Sequence, residues 1–438
     1  MQNMNRRDFL GNSAGAGLSL AMTGSALAQA RAADPKKAVR AGFIGVGNRG
    51  TSLLKTTLAL SNIKVTAVCD IQVRHAERAA ALVTDNGQAK PELYTDGDHA
   101  YREMLKQDDL DAIIIATPWR WHTPMAVEAM QQGKPAGVEV PCALSVDECW
   151  QLVQTSEKTG VPFMMLENWS FRKDNLALLN MVRAGVFGEI MHVHCAHSHD
   201  CIDHWFFDRE TGADRWPAEY LVKYNRDHYP THSVGPVLSW LDINCGDRFA
   251  TIASTATASR SINDHFLRTF GPDHPGTKRT YAQGDIVTST IKTAKGKTVI
   301  VNYDMQMPRP YDNRWLLQGT RGVYNEQREA IYLVEQSPAY HQWEPFKPYE
   351  EKYLHSWWKD GGQGGHGGVD GIQLDQFFKA VSHGQPLPLD IYDSVVMSAI
   401  VGLSGESIAK GGAPLEFPDF TQGKWKTRAP FFAVEKKA

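Results

Sequence analysis

Val39-Arg40-Ala41-Gly42-Phe43-Ile44-Gly45-Val46-Gly47-Asn48-Arg49-Gly50 is an apolar run that ends in a glycine-spaced turn, and a helical stretch, Thr51 to Leu60, follows at once. G-x-G-x-x-G alone is a weak signal, but between a strand and a helix it predicts a dinucleotide-binding turn. Gly45, Gly47 and Gly50 permit the tight turn and bring backbone N–H groups close to a pyrophosphate at the helix N-terminus. Asn48 and Arg49 lie inside that turn. A second apolar run, Lys64 to Val68, ends at Cys69-Asp70, twenty residues past Gly50. A carboxylate there holds the ribose hydroxyls of NAD and repels the extra phosphate of NADP. NAD is therefore the expected cofactor, although Arg74 stands close by.

Working outward, three further short apolar runs, Ala112 to Ala116, Ala136 to Val138 and Pro162 to Leu166, are separated by helix-length segments, the pattern of a buried parallel sheet. Ser145-Val146-Asp147-Glu148 is a capping box that opens a helix to about Thr159. Ligands collect at the carboxyl ends of such strands, so Thr117 to His122 and Glu139-Val140-Pro141 are expected to line the cofactor crevice. Past Leu166 the character changes. A helix over about Asp174 to Val186 is followed by alternating strands: Ile190 to His194, Thr251 to Ala258, Ile286 to Thr293, Thr298 to Met305 and Arg314 to Gly319. Helical periodicity returns with Leu374, Phe377, Phe378 and Val381, and again over Val395 to Ile408. The expectation is an α/β chain: a Rossmann domain over 38–166 and an α+β domain over 167–438 with a large open, mostly antiparallel sheet. Gly361 to Gly368 is a glycine-rich loop with His366 near its end, a candidate site loop.

Composition narrows the function. Forty-six basic against forty-nine acidic residues, a net charge of −3, remove the electrostatic case for nucleic acid. No run of eighteen apolar residues predicts a membrane span. The six cysteines are scattered, with no C-x-x-C pair. Residues 1–30 read as an address: Arg6-Arg7, then Asp8-Phe9-Leu10, a weakly apolar stretch to Leu27, and small residues for cleavage up to Ala30. This is the layout of a twin-arginine export signal, which carries folded proteins to the periplasm or outside the cell.

These features together resemble the glucose-fructose oxidoreductase, inositol dehydrogenase and MocA superfamily, and within it glycoside hydrolase family 109, the NAD-dependent glycosidases first described as α-N-acetylgalactosaminidases. The match rests on Gly47-Asn48-Arg49-Gly50, Trp119-Arg120-Trp121-His122, Glu139-Val140-Pro141, Leu166-Glu167-Asn168, Tyr229-Pro230-Thr231-His232, Pro308-Arg309-Pro310-Tyr311 and Gly365-His366-Gly367-Gly368. The superfamily's sugar dehydrogenases have a Glu-Lys-Pro motif whose lysine assists proton removal; here Val140 takes its place, as in the glycosidases. The resemblance implies a redox-neutral cycle on a glycoside: oxidation at C3, loss of the C2 proton, elimination of the C1 substituent, addition of water and reduction at C3. Cofactor that ends as it began need never leave, which suits an exported enzyme.

By the same resemblance, Asn48, Arg49, Asp70, Trp119, Trp121, His122, Glu139, Val140, Asn168 and Tyr229 would touch NAD. Tyr229, Pro230, Thr231, His232 and Tyr311 would contact the sugar, with His232 and Tyr229 the first candidates for proton transfer and His366 a third. The chain also departs from the family. Where the family has a substrate Tyr before Gln-His-Asp, this chain reads His197-Ser198-His199-Asp200, making His197 and Asp200 the candidates there. Arg215 is the nearest match to the family's substrate arginine. Both changes open the sugar preference. On a strand, Cys195, His197 and His199 share one face and have zinc-like donor chemistry, but the implied reaction needs no metal, and none is assigned. The rival reading is a periplasmic NAD(P)-dependent sugar oxidoreductase. The resemblance also implies that the open sheet often packs against a second subunit.

Overall fold

The structure, a computed structural model, describes residues 38–435; the expected export signal over 1–30 lies outside the described residues. Six strands, β1 (Val39–Ile44), β2 (Ile63–Cys69), β3 (Glu92–Tyr94), β4 (Ala112–Ile115), β5 (Ala136–Val138) and β6 (Phe163–Met165), form a parallel sheet in the order β3-β2-β1-β4-β5-β6. Every residue of β4, β5 and β6 is buried, which explains their continuous apolar composition. This is the doubly wound order, and its direction reverses between β1 and β4, where ligands bind at the strands' carboxyl ends. The Ser145 cap forms as expected, with Glu148 N donating to Ser145 Oγ at 3.2 Å, while the Glu148 carboxylate accepts from Leu144 N rather than from Ser145 N. The helix it opens, Val146–Thr159, ends at Gly160 in the left-handed region.

Nine strands make the second sheet: β7 (Ile190–Ser198), β8 (Phe249–Ala256), β9 (Val287–Thr293), β10 (Thr298–Asp304), β11 (Leu316–Gly319), β12 (Gly322–Asn325), β13 (Ala330–Leu333), β14 (Glu344–Pro345) and β15 (Leu415–Glu416). Their order is β14-β13-β12-β11-β7-β10-β9-β8-β15, antiparallel throughout except for the parallel pair β7–β10. The strand signal reached five of these nine, β7 to β11. β12 and β13 are four residues long and β14 and β15 two, too short for alternation to show, as is three-residue β3 in the first sheet. β7 runs on to Ser198, four residues past the expected end, because its histidines continue the strand rather than break it.

One helix that periodicity missed decides the site. Thr231–Trp240 is buried on nearly all sides and has Pro236 inside it, so neither a polar face nor an unbroken helical composition marks it. The Trp315 indole N–H donates to Ser233 O at 2.8 Å and that of Trp240 to Asn175 O at 3.2 Å, locking this helix between the residue that precedes β11 and the helix Lys173–Arg183. The long C-terminal helices Val369–His383 and Ile391–Ala409 then pack into the same continuous core as both sheets. The first of these begins at the glycine-rich loop and brings Asp370 to the mouth of the parallel sheet.

Candidate active site

The phosphate turn is built from backbone. Gly45 lies at φ +82, and a Cβ there would sit 2.8 Å from the Ala116 carbonyl oxygen; a Cβ on Gly50 would overlap the Gly45 carbonyl. Only glycine lets β1, β4 and the helix Asn48–Leu58 converge this closely. Nothing lies within 4 Å of a Cβ built on Gly47, so its face of the turn is open space. Asp70, at the end of β2, accepts hydrogen bonds from Val46 N at 2.9 Å and Gln72 N at 2.8 Å. It therefore shapes the turn while standing where ribose hydroxyls would come. This open cradle at a helix N-terminus, with a carboxylate beside it, fits NAD.

Arg49 is the hub of the crevice. Its guanidinium donates to Glu139 at 2.7 Å and to Asp370 at 2.6 Å. Burial opposes its charge, but those two carboxylates outweigh it and raise its pKa. Asp370 also contacts the His366 ring at 3.0 Å and accepts from Asn168 Nδ2 at 2.8 Å. Although burial pushes the other way, hydrogen bonds from His366 and Arg49 hold the Asp370 carboxyl well below the usual range. The Asn168 side-chain oxygen Oδ1 is buried without a partner, an acceptor waiting for a donor. His366 thus joins the Arg49–Asp370 network, and Trp169 lies between it and His232, at ring distances of 5.4 and 5.6 Å.

Two of the three rings of the aromatic motif, Trp119 and His122, are buried. His122 is buried, with one ring nitrogen 2.8 Å from Pro141 O and the other 2.7 Å from Thr117 O. No ring nitrogen is left for a cofactor, so His122 positions the two strand ends that line the crevice. Trp119 is likewise buried and donates to Val140 O at 3.1 Å, with Trp205, Trp216 and Tyr220 edge-on against it. Trp121 packs edge-on against His99 and is only partly buried. Val140 contributes its backbone and a buried apolar side chain.

On the other wall, His232 sits in the first turn of Thr231–Trp240, with Tyr229 two residues before the helix. His232 Nδ1 lies 2.9 Å from Glu167 Oε1, and Nε2 lies 3.4 Å from the Tyr229 hydroxyl. Glu167 is fully buried and also accepts from Trp169 N and from the Ser170 backbone and hydroxyl. A Cβ at position 235 would overlap that carboxylate; Gly235 makes the approach possible. An imidazole donating from Nδ1 to a carboxylate presents Nε2 as an acceptor, so this tautomer is assigned from its partner. Burial, with Glu139 adding to it, pushes the Tyr229 phenol well above its ordinary value.

His197 faces both, its ring 4.9 Å from Tyr229 and 5.4 Å from His232. Burial and the neighbouring His232 and His199 hold it well below the ordinary histidine value, so it is neutral, and its Nδ1 has no partner. Tyr311 closes the group from the second sheet, accepting from the Trp169 indole with its ring 5.5 Å from His197. Thr231 Oγ1 is another buried orphan, and Pro230 is buried beside it. Two expected contacts stand apart. Arg215 pairs with Asp208 at 3.3 Å, and Asp200 accepts from Ile202 N; neither bonds to this cluster. Cys195 does not gather with His197 and His199 either, since its thiol donates to Ile300 O. Glu167 and Asp370 were not given roles by sequence reasoning. The available signal for Glu167 was its place at the carboxyl end of the last parallel strand; for Asp370 there was none beyond its nearness to the glycine-rich loop.

Residues 39–167 match the oxidoreductase family NAD-binding Rossmann fold, and residues 171–427 match the glycosyl hydrolase 109 C-terminal domain. A protein of Tannerella forsythia named alpha-N-acetylgalactosaminidase is 40% identical over 98% of this chain and 99% of its own. A glycosyl hydrolase family 109 protein of Stenotrophomonas maltophilia is 38% identical over 99% of both. Among solved structures, a levoglucosan dehydrogenase in complex with NADH and L-sorbose superposes with a TM-score of 0.67 at 18% identity, over 87% of this chain and 100% of that one, a likeness of fold. The chain belongs to the glycosyl hydrolase 109 family and is a glycosidase built on an NAD-binding fold.

Proposed function

We propose that this enzyme cleaves glycosides by the oxidation–elimination–hydration–reduction cycle, with NAD retained throughout and N-acetylgalactosaminides the first substrates to test. The observation that carries this reading is the Glu167–His232–Tyr229 line facing the cofactor crevice, in a site where Val140 stands in the lysine's place. Bound NAD supplies a hydride acceptor and donor at sugar C3. Arg49, Glu139, Asp370 and Asn168 hold that end of the cleft, and the open face of Gly47 admits the pyrophosphate.

His232 accepts a proton on Nε2 while Glu167 balances the charge that forms on the ring. Tyr229 has a phenol held protonated, which makes it a donor to a sugar oxygen rather than a base. As C3 is oxidised, the hydroxyl proton moves to Tyr229 while Tyr229 passes its own to His232 Nε2; His232 then releases that proton to solvent and, neutral again, takes the C2 proton. Neutral His197 and the orphaned Thr231 hydroxyl are poised to bind sugar hydroxyls.

In D2O the product sugar should carry deuterium at C2, and 3-deoxy or 3-O-methyl substrates should not react. Retention of C2 hydrogen through hydrolysis overturns the cycle, and turnover without added NAD by protein that releases no nicotinamide on denaturation overturns the retained cofactor. Export follows from the Arg6-Arg7 leader. Arg6→Lys with Arg7→Lys should leave the uncleaved precursor in the cytoplasm, and unchanged export refutes the route. The open face of the second sheet is proposed to pack against a second copy, which a solution mass of twice the chain would support and a monomer would exclude.

Among the described residues no helix is long and apolar enough to cross a membrane.

A further inference from the structure

At the rim of the sugar cleft three side chains outside the proton-transfer line converge. His199, Cys201 and His204 bring their ligand atoms within 4.8 Å of one another. We propose that they form a binding site for Zn2+ with three protein ligands and a fourth position open to water.

The backbone explains the convergence. β7 ends at Ser198, and a π-helical turn, Ile202–Phe206, begins directly after Cys201. That wide turn folds position 204 back beside 199 and 201, and such turns recur at functional sites. The donor set is two imidazoles and one thiol, suited to a borderline-soft ion rather than to calcium or magnesium. Cys201 is buried and free of any disulfide, and neither its sulfur nor the His199 ring has a hydrogen-bond partner among the described residues. Behind His204, Asp203 Oδ1 lies 3.4 Å from Nδ1, the placement by which a carboxylate orients a ligating histidine and leaves Nε2 for the ion. Asp200 and Asp203 add negative charge beside Cys201. Around tetrahedral zinc the ligand atoms would close to about 3.4–3.6 Å of one another, a small movement for a half-buried and an exposed histidine.

On binding, Zn2+ replaces the Cys201 thiol proton, which leaves to solvent, and no electron moves. The ion would tie down the turn whose Trp205 packs against Trp119 and Tyr229, and would fix His199 against Tyr311, 4.9 Å away. Its role is to hold the rim of the cleft, outside the proton relay.

The test uses the purified full chain, dialysed against chelator and titrated with Zn2+ against a chromophoric competitor. About one equivalent should bind, and Cys201→Ser and His204→Ala should each weaken binding by at least an order of magnitude, while Cys245→Ser leaves it unchanged. His204 is exposed, so its variant should fold. Co2+ in the unmodified chain should give a thiolate-to-cobalt charge-transfer band that Cys201→Ser abolishes. Binding well below one equivalent, binding unaltered in both variants, or a cobalt spectrum without thiolate ligation would each overturn the site.

Discussion

The two walls of the cleft are finished to different degrees. On the cofactor wall nearly every polar group has a protein partner: Asp70 holds two backbone N–H groups, and Arg49 is shared between Glu139 and Asp370. On the sugar wall, His197 Nδ1 and Thr231 Oγ1 are buried without partners. Leaving such groups unpaired costs about 1–3 kcal/mol each, so the sugar wall is held in that state by the surrounding packing and gains most from a ligand rich in hydroxyls. The cofactor wall is a preorganised cradle; the sugar wall is completed by what it binds.

The sharpest way to break this contrast is at Gly47. A Cβ there meets nothing, although φ −65 with ψ −145 lies outside the regions open to residues with a side chain, so Gly47→Val should lose bound NAD and at least about 10²-fold in activity, beyond what that local strain costs in Tm. Gly50→Ala should instead lower Tm, because its Cβ overlaps the Gly45 carbonyl. Mass spectrometry of released cofactor and a thermal melt separate the two; NAD retained by Gly47→Val would place the pyrophosphate elsewhere.

On the sugar wall, Glu167→Gln should reduce kcat by about 10²–10⁴-fold with NAD content unchanged, since an amide cannot balance an imidazolium or enforce the tautomer. An unaltered kcat would reduce Glu167 to a packing role.

Behind that wall, Asp227 is buried two residues before Tyr229 and has an unpartnered oxygen of its own. Burial pushes its carboxyl up to about 7, above the ordinary value of about 3.9. Between about pH 4 and 7 the unfolded chain gives up this proton while the folded chain keeps it, so stability falls as pH rises through that window and levels off above it. Asp227→Asn should flatten that slope and be the more stable protein at pH 8, by at most about 4 kcal/mol. Chemical denaturation from pH 4 to 8 reads the difference, and parallel curves would exonerate Asp227.

The smallest effects are expected where the cofactor wall has redundancy. Asp370→Asn leaves Arg49 with Glu139 and should weaken NAD retention about tenfold, the worth of one charged hydrogen bond. His366→Ala should change it less, because that ring is partly exposed and its Arg49 contact is 3.4 Å long. A larger loss for His366 than for Asp370 would reverse their roles.

The amino-acid sequence alone determined the parallel sheet, the phosphate turn and the Asp70 position, because each follows from local rules: apolar runs, glycine spacing, and a fixed count from turn to carboxylate. Tyr229 and His232 came forward through the family resemblance of the motif Tyr229-Pro230-Thr231-His232, since no periodic signal marks the helix in whose first turn His232 lies. What the sequence could not reach were pairings across long separations. Glu167 meets His232 across 65 residues and Asp370 meets Arg49 across 321, and neither carboxylate carries a periodic signal. The burial of His122 and the place of His366 in the Arg49–Asp370 network were likewise settled by neighbours supplied from other elements. Tertiary structure decided those roles, because a buried polar group's function is set by the partner that satisfies it, and that partner is chosen only when the chain closes on itself.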